Sequence, residues 1–491
     1  MNYKFNKDKL RDKILACWIG KNIGGTVGGP FEGQTEMQDI PGFTTAKGEP
    51  LPNDDLDLQI AWLMTIDRAG ARGLDANELA HSWMMFITPH WNEYGVAHKN
   101  LKMGLLPPLS GEFDNKLWRN SNGAWIRTEI WACLAPGFPN VAAKYAIMDA
   151  SVDHGLGEGT YAAIFTAAME SIAFFENDMR LLIETALGYI PEDSMLAKSV
   201  RLVLEEYDKG TSYRETREKV VELNKDLGWF QAPGNVAFAV IGLMYGEGDF
   251  KNSVIYTVNC GDDTDCTAGT VGAVLGIMNG TAGIPEDWQE YIGDKINQIC
   301  INPQYLNYIP KTCTEFTERV IAYITDILRV NKVSAELIEG DDAYDREEAF
   351  NVLEGYSDDY FNRSKYSFDI TRPAYLTARV EFDEEPVAKS GEELTFKVKF
   401  QQLFIYGEPI EGYVNITMPE GWSATYRKAV HIAKPRDIMP VSMPYQDYSL
   451  TSDLEVTVVP GENISAVNKL YVNVELNTSP VPFVVPVTIV G

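Results

Sequence analysis

Apolar residues recur at helical spacing through roughly the first two thirds of the chain. The spacing predicts helices over Leu56–Ile66, Tyr161–Phe175 and Val236–Tyr245. A further segment, Ala268–Met278, is rich in alanine and glycine, which is typical of helices that pack closely. Clusters of glycine, proline and asparagine predict loops at Gly24–Gly33, Pro107–Gly111, Ala135–Pro139 and Gly246–Asp249. We therefore expect a compact all-α domain over residues 1–335, with functional loops at one end.

The pattern changes after residue 335. Residues 336–368 are strongly acidic and predict a linker that has room for one short helix. From residue 369 onward the period becomes two, and this alternation predicts strands at Tyr375–Phe382, Leu394–Phe400, Gly412–Met418, Leu454–Val459 and Leu470–Leu476. Strands at this spacing predict an immunoglobulin-like β-sandwich over residues 369–491. The expected fold class is therefore multidomain, with an all-α domain followed by an all-β sandwich.

The overall charge narrows the range of partners. The 491 residues include 70 acidic and 42 basic side chains, which give a net charge of −28 at pH 7. So acidic a surface repels phosphate backbones and anionic lipid heads, so we expect no nucleic acid and no membrane partner. A small-molecule or glycan substrate fits better, and a phosphorylated one stays open because a metal ion can reverse the local charge. Assembly into a homo-oligomer also stays open.

The start of the chain and the cysteines bear on the compartment. Charges interrupt every apolar run before residue 22, so the start lacks the apolar core of a signal peptide. None of the six cysteines forms a CxxC pair, which predicts buried, reduced thiols, and the five histidines lack zinc-binding spacing. We expect a cytoplasmic protein. A periplasmic or secreted one would need a signal peptide removed before residue 1.

Two acidic clusters carry the candidate chemistry. The first is Asn53–Asp57, directly before an apolar helical run. An Asn or Asp at this place can cap the helix, but a cap uses one side chain and three acids lie within four residues here. Adjacent carboxylates repel each other unless a cation lies between them, and Mg²⁺ and Ca²⁺ prefer oxygen ligands.

The second cluster, Asp262–Asp265, opens the small-residue helix around Ala268–Met278. Three acids again fall within four residues, at a predicted helix N-terminus where the helix dipole lowers the cost of negative charge. Two such clusters, each opening a helix with a buried character, favour one shared metal site over two unrelated helix caps.

Five short motifs follow one another along the chain. They are a glycine-rich stretch that ends in Glu, an Asn-Asp-Asp element, an Asn-Gly-x-x-x-Arg element, a Ser-x-x-His element and an Asp-Thr-Asp-Cys element: Gly20–Glu32, Asn53–Asp55, Asn122–Arg127, Ser151–His154 and Asp263–Cys266. In order and spacing they resemble the ADP-ribosylglycohydrolase family over roughly residues 10–290. The resemblance implies an all-α catalytic domain, hydrolysis of a glycosidic bond, and Mg²⁺ ions held between the Asp elements.

The resemblance also implies roles for individual residues. The metal ligands would be Asn53, Asp54, Asp55, Asp263, Asp265 and Cys266, around one or two Mg²⁺ ions, with Ca²⁺ or Mn²⁺ as alternatives. Glu32 and Asp57 are the candidates for catalytic proton transfer, Glu32 because a glycine-rich loop would act as a flexible lid that carries it. The substrate-binding candidates are Gly28, Gly29, Asn122, Gly123, His154 and Asp262.

Three positions depart from the residues usual in that family. Asn53 and Cys266 stand where the family has Thr, and Gly25 stands where it has Asp. Asn still offers a carbonyl oxygen, whereas cysteine is a soft ligand that suits Mg²⁺ poorly. Either Cys266 is not a ligand, or one metal position is altered or lost. Thr264 and Thr267 are nearby candidates to compensate.

Other motif residues have a plain structural alternative. Asn122 would either face the substrate or cap a helix, and Arg127 would be a surface charge. His154 would more often be a structural hydrogen-bonding residue than a catalyst. Most aromatic residues near the expected site belong in a core, while one or two could stack on a sugar or a base: Trp83, Trp91, Tyr94, Trp118 and Trp125.

Three functions fit these features. The first is a metal-dependent hydrolase that cleaves an N- or O-glycosidic bond at the anomeric carbon of an ADP-ribosyl or related ribofuranosyl substrate. The second is a glycoside hydrolase of the same fold that acts on non-nucleotide furanosides. The departures favour it, as does Met418–Trp422, which is similar to a segment of accessory β-sandwich domains in carbohydrate-active enzymes. The third is a non-catalytic metal-binding or ligand-binding homologue.

Overall fold

The computed structural model describes residues 2–372, 375–403, 410–432 and 453–491. The chain divides into two compact units, one formed by Met1–Val96 with Asn115–Phe361 and the other by Ala97–Asp114 with Asn362–Gly491. The segment Ala97–Asp114, which lies within the predicted helical range 1–335, therefore belongs to the second unit.

The first unit is mostly helical, and the helical fold expected there is confirmed. Helix α4 crosses into the second unit and α5 lies within it. The helices are α1 Lys7–Gly28, α2 Asp54–Gly73, α3 Ala76–Phe86, α4 Asn92–Met103, α5 Leu109–Glu112, α6 Glu129–Leu134, α7 Pro139–Ala150, α8 Glu158–Ala173, α9 Met179–Leu187, α10 Met195–Asp208, α11 Tyr213–Asn224, α12 Ala232–Tyr245, α13 Phe250–Asn259, α14 Thr264–Asn279, α15 Glu286–Ile292, α16 Cys313–Ile321, α17 Ile324–Val330, α18 Arg346–Phe350 and α19 Tyr356–Asn362. Within the part of the chain that the structure describes, no helix is both long and apolar enough to cross a membrane.

Helices α1 and α14 pack against each other along a stripe of small residues. A Cβ atom added at Gly24 would overlap the backbone of Ala268, and one at Gly20 would overlap the backbone of Gly272. Glycine thus permits the helix backbones to touch. The expected loop over Gly24–Gly33 is wrong for its first part, because α1 continues to Gly28. The contact explains the difference, since glycines four residues apart lie on one face of a helix.

A short parallel strand pair closes the first unit. Strand β1, Asn2–Asn6, pairs with β2, Ser334–Ile338, which joins the start of the helical unit to its end. The stretch 336–368, predicted as an acidic linker, holds the end of β2 and the helices α18 and α19. As far as Phe361 it belongs to the first unit.

The second unit is rich in antiparallel strands, as expected for the C-terminal part. The strands are β3 Ser367–Arg372, β4 Leu376–Phe382, β5 Leu394–Gln402, β6 Ile410–Thr417, β7 Ser423–Tyr426, β8 Ala429–Ile432, β9 Asp453–Val459, β10 Val467–Leu476 and β11 Phe483–Val490. They form one sheet ordered β11-β10-β6-β8 and another ordered β3-β4-β5-β9-β7. Both sheets contribute alternate residues to one hydrophobic core, which also takes in Leu105, Leu109 and Phe113. The immunoglobulin-like type of this unit stays a prediction.

Candidate active site

The first acidic cluster opens helix α2, and its helix cap is not an aspartate. The Oδ1 atom of Asn53 accepts a hydrogen bond from the backbone N–H of Asp55 at 2.7 Å, so Asn53 is the N-cap. The carboxylate of Asp54 accepts a hydrogen bond from the Tyr94 hydroxyl at 2.8 Å. Because Asn53 satisfies the helix end, capping does not account for the aspartates that follow it.

Asn53 also fills the space beside Gly25. Its Nδ2 atom is buried without a hydrogen-bond partner, and a side chain at position 25 would overlap that atom. The two departures from the family pattern are therefore one steric change, in which the longer residue at 53 requires glycine at 25. The Asn53 oxygen, expected as a metal ligand, is the atom that caps the helix.

The second acidic cluster opens helix α14. Asp263 is the N-cap residue, but its side chain makes no capping hydrogen bond. Its Oδ2 atom instead accepts a hydrogen bond from Nδ2 of Asn122 at 2.7 Å, and its Oδ1 atom is buried without a partner. The Oδ1 atom of Asp265 is likewise buried and unpartnered. Buried carboxylate oxygens that lack a donor are costly, so this arrangement fits a bound cation.

The structure brings the two clusters together. Ligand atoms of Glu32, Asp263 and Asp265 lie within 4.8 Å of one another, and so do those of Asp55, Asp265 and Cys266. Asp265 is common to both groups. These acids come from segments more than 200 residues apart in sequence, yet they form groups of a size that could hold a metal ion.

Burial and mutual repulsion shift the pKa values of these carboxyls upward. Burial is the main cause of the shift for each residue. It raises the pKa of Asp54 to about 6, and the negative charge of Asp55 adds to the increase. Burial likewise raises the pKa of Asp265 to about 7, where Glu32 adds to the effect. The pKa of Glu32 is also raised, by burial and then by Asp54 and Asp55. A divalent cation among these groups would favour their charged forms.

A buried lysine accompanies Asp55. The Nζ atom of Lys21 lies 3.1 Å from Oδ2 of Asp55 and 2.8 Å from Oε1 of Glu129, and all three side chains are fully buried. Lys21 also donates a hydrogen bond to the carbonyl oxygen of Ile126 at 2.7 Å. Burial alone would lower the pKa of Lys21, but Asp55 and Glu129 outweigh it and raise that pKa. Lys21 is therefore charged and fixes the orientation of Asp55.

A cavity of about 640 Å³ opens over the acidic groups. Asp54, Asp265 and Cys266 lie in its wall, and Glu32 lines it as an exposed residue. The wall also includes Trp91 and Trp229, among others, which are 48% and 38% exposed.

The aromatic residues singled out from the sequence divide between core and cavity. Trp83 and Trp125 are fully buried. Trp91 and Tyr94 line the cavity, so they are the two of the set that could meet a ligand. Trp118 contacts the ring of Phe230, with centroids 6.1 Å apart.

Asp57 lies away from the cavity. Its Oδ2 atom accepts hydrogen bonds from the backbone N–H groups of Ile299 and Cys300, both at 2.6 Å, and the side chain is fully buried. Burial raises its pKa to about 7, against these two hydrogen bonds. A catalytic role for Asp57 does not agree with this position. The residue instead holds the segment after residue 298 against α2.

Asn122 and Gly123 support the site from behind. The side-chain amide of Asn122 donates a hydrogen bond to Asp263, and its oxygen accepts one from Nε1 of Trp125 at 3.0 Å. Gly123 leaves room for the carboxylate of Glu93, since a Cβ at 123 would overlap it. Neither a helix cap nor a direct substrate contact describes Asn122, which positions a candidate metal ligand.

Arg127 and His154 belong to one buried polar network. Arg127 is fully buried and pairs with Asp149 and Asp153, each at 2.8 Å, so it is not the surface charge considered above. Nδ1 of His154 lies 2.9 Å from Asp153, and its Nε2 is 3.1 Å from Oγ of Ser121. Because His154 is fully buried and absent from the cavity wall, its expected role in substrate binding is not supported by its position.

The remaining predicted substrate-binding residues shape the backbone. A Cβ at Gly28 would overlap the backbone at Thr264, and one at Gly29 would press on Leu51. Asp262 adopts a left-handed φ of 63° and lines a second cavity of about 360 Å³ together with Arg217. Burial raises the pKa of Asp262 to about 7, partly opposed by Arg217.

Neither threonine near Cys266 replaces the family's threonine. The hydroxyl of Thr264 donates a hydrogen bond to the carbonyl oxygen of Gly28 at 2.9 Å, and that of Thr267 donates to the carbonyl of Thr264 at 3.3 Å. Cys266 itself is buried, like the other five cysteines, which confirms the expected burial of the thiols. Its Sγ donates to Oδ1 of Asp55 at 3.4 Å.

This chain is similar to several known proteins. A family profile described as ADP-ribosylglycohydrolase matches residues 6–314. ADP-ribosylhydrolase ARH3 of Bos taurus is 25% identical over 323 residues, which cover 57% of this chain and 88% of that relative. A solved structure titled ADP-ribosylglycohydrolase-related protein complex is 18% identical, covers 65% of this chain and 99% of its own, and has a TM-score of 0.43. The GAE domain of GGA2p from Saccharomyces cerevisiae covers 25% of this chain and 96% of its own, at 14% identity and a TM-score of 0.17.

The family match includes all five motifs and both acidic clusters. It extends over well more than half of the chain. This chain belongs to the ADP-ribosylglycohydrolase family.

Proposed function

We propose that this chain is a divalent-metal-dependent hydrolase that cleaves an N- or O-glycosidic bond at the anomeric carbon of an ADP-ribosyl or related ribofuranosyl substrate. One observation carries the proposal: carboxylates from three separate segments, at Glu32, Asp54–Asp55 and Asp263–Asp265, meet at one cavity. Family membership supports a hydrolase, and the cavity is large enough for a sugar and part of its leaving group.

The carboxylates fit a hard cation. Glu32, Asp263 and Asp265 offer only oxygen, the donor that Mg²⁺ prefers, and two of their buried oxygens have no other partner. When bound, such an ion would polarise sugar hydroxyls and water and offset the negative charge of the cluster. Ca²⁺ and Mn²⁺ are the alternatives for this group.

The protein's own residues would position the reactants and move one proton. Asn122 holds Asp263 at 2.7 Å and Tyr94 holds Asp54 at 2.8 Å, so these two carboxylates keep fixed orientations. Glu32 is the carboxylate of the cluster most open to solvent. Because Glu32 lines the cavity as an exposed residue, its carboxylate is the one best placed to take the proton from the attacking water as general base.

The test is an Asp265→Ala variant. Asp265 is common to both ligand groups, so we expect it to lose metal binding and about 100-fold or more of the hydrolytic rate, as for removal of a main electrostatic element. Asp287→Asn is the matched control, because Asp287 is an exposed acid paired with Lys251 away from the cavity. Metal content and turnover equal to those of the unmodified protein in Asp265→Ala would refute the proposal.

A second candidate is a hydrolase of non-nucleotide furanosides. The cavity wall, as far as the structure describes it, contains carboxylates and His90 but no lysine or arginine, so a diphosphate would meet no permanently charged cation of the protein there. The neighbouring cavity contains Arg217, yet this guanidinium already donates to the carbonyl oxygens of Cys260 and Thr35 and to Glu218. The exposed faces of Trp91 and Trp229 suit a neutral sugar ring.

The two candidates separate in one assay. Purified protein is given ADP-ribosylated peptides and, separately, neutral aryl furanosides, and the released sugar is identified by mass spectrometry. Release of ADP-ribose supports the first candidate, and release of a simple pentose supports the second. Metal binding without either release would leave the non-catalytic homologue, and both hydrolase proposals would fail.

A further inference from the structure

The candidate metal centre contains one soft donor among hard ones. Sγ of Cys266 lies 3.4 Å from Oδ1 of Asp55, and together with Asp265 these residues form a compact group of ligand atoms. Cys266 is 5% exposed and lines the cavity. The neighbouring group of Glu32, Asp263 and Asp265 has no sulfur. The two groups share Asp265 but differ in donor chemistry.

We propose that the two metal positions are chemically distinct: Glu32, Asp263 and Asp265 bind a hard ion of the Mg²⁺ class, while Asp55, Asp265 and Cys266 bind a thiophilic divalent ion of the zinc class. The inference deepens the proposed function, on which it rests only in taking these acids as metal ligands. Thiolate donors favour zinc over Mg²⁺, which binds oxygen almost alone.

The spacing of the donors agrees with a zinc-class ion. Zinc lies about 2.0–2.2 Å from carboxylate oxygen and about 2.3 Å from sulfur in tetrahedral sites, so these two ligands should be roughly 3.6 Å apart. The Cys266 Sγ and Asp55 Oδ1 atoms are 3.4 Å apart. Three protein ligands beside an open cavity are also the usual number for a zinc that keeps one position for water or substrate.

A second observation points to a ligand at this group. Oδ1 of Asp265 is buried and has no hydrogen-bond partner, and the residue as a whole is 9% exposed. Oδ2 of Asp55 faces Lys21 at 3.1 Å, which leaves Oδ1 as the oxygen beside Cys266. Asp55 can therefore offer one oxygen only, as a four-coordinate ion requires. Glu129, at 2.8 Å, balances the charge of Lys21. The nearby ammonium group therefore does not prevent a cation from binding beside Asp55.

The threonine hydroxyls nearby do not provide a harder substitute. The hydroxyl groups of Thr264 and Thr267 both donate hydrogen bonds to backbone carbonyl oxygens. A zinc-class ion at this group would bind Cys266 as a thiolate, and the thiol proton that Cys266 now donates to Asp55 would be released to solvent on binding.

The experiment uses the full chain, stripped of metal and reloaded. Cobalt(II) replaces zinc in such sites and gives a thiolate-to-metal charge-transfer band in the near ultraviolet when sulfur is a ligand. We expect this band in the unmodified protein, and zinc retained beside magnesium when both ions are supplied. Cys266→Ser should lose the band and still bind magnesium. Its zinc affinity should fall by roughly 10- to 100-fold or more, because replacing a residue that only contacts a metal ligand already lowers metal affinity by that factor.

Cys260→Ser is the matched control. Cys260 is a buried thiol in the turn before α14, and its Sγ donates to the carbonyl of Tyr256, so this variant should keep the band. No charge-transfer band in cobalt-loaded unmodified protein would overturn the inference even if Cys266→Ser fails to fold. Unchanged zinc affinity in a folded Cys266→Ser would overturn it too. A protein that shows the band but hydrolyses no glycoside would refute the proposed function and leave this inference standing.

Discussion

Replacing Lys21 by methionine removes an ammonium group that lies between the buried carboxylates of Asp55 and Glu129. The Nζ atom is 3.1 Å from Asp55 and 2.8 Å from Glu129, and no part of the three side chains is exposed. Methionine keeps nearly the volume of lysine but carries no charge. The Lys21→Met variant therefore tests electrostatics with little change in packing.

The expected cost is large because both acids lose their counter-charge. Breaking a buried ion pair by removing one partner destabilises by about 3–5 kcal/mol, whereas replacing a whole pair with apolar residues is often neutral. We therefore expect Lys21→Met to cost about 3–5 kcal/mol and Lys21→Met/Glu129→Leu to cost clearly less. A penalty would remain in the double variant, because Asp55 stays buried without its counter-charge and the carbonyl of Ile126 loses the donor at 2.7 Å, a loss of roughly 1–3 kcal/mol by itself. The two changes should thus be coupled by about 2 kcal/mol or more, within the range for residues in contact.

These differences in the free energy of unfolding are measured by urea denaturation in the absence of divalent metal, with tryptophan fluorescence as the signal. Nine of the ten tryptophans lie in the first unit and Trp422 alone lies in the second, so the signal reports on the helical unit. Glu129→Leu by itself completes the double-mutant cycle. If Lys21→Met costs the same whether or not Glu129 has been replaced, the two residues do not interact, and the reasoning from the buried pair is refuted.

Two further predictions concern helix packing and pH. Gly24→Ala should destabilise the protein by about 1–3 kcal/mol, because a Cβ there overlaps the backbone of Ala268 and pushes α1 away from α14. The same displacement should weaken metal binding. Gly73→Ala is the control, since its Cβ would make only ordinary contacts, and it should leave thermal stability and metal binding unchanged. Burial lowers the pKa of Lys144 from 10.5 to about 8, so the charged amine is penalised in the folded state. The free energy of unfolding of the unmodified protein, relative to that of Lys144→Met, should therefore rise between pH 8 and 10.5, by about 3 kcal/mol at most. If this difference does not change over that range, the lowered pKa of Lys144 is contradicted.

Hydrophobic periodicity was sufficient to predict the main elements. The apolar run Leu56–Ile66 lies inside α2, and the alternating segment Leu394–Phe400 lies inside β5. Both patterns are set by local geometry, because a helix buries one stripe and a strand buries alternate residues. A different local rule, that clustered glycines mark a loop, was wrong for Gly24–Gly28. Glycine has a low helix propensity, and only contact with α14, which no local pattern contains, stabilises it in a helix there.

The acidic clusters were predictable as clusters, but the direction of each side chain was not. Asp55 and Asp57 are two residues apart in one helix, so they point about 200° apart around its axis. Asp55 therefore reaches the acidic groups, while Asp57 turns toward the backbone of Ile299. Lys21 and Glu129 escaped sequence analysis for a different reason. Neither belongs to an acidic cluster, and the two residues are 108 positions apart in sequence with no motif that contains both.

The structure reduces three departures from the family pattern to two physical changes. Asn53 and Gly25 compensate each other, since the amide of one occupies the space that the other leaves, and the helix cap is retained. Cys266 has no such partner, because the hydroxyls nearest to it are used by the backbone. The first change adjusts packing and leaves the carboxylates in place. The second puts sulfur beside Asp55, so Cys266 is the position at which the metal preference inferred for this chain should differ from that of relatives with threonine there.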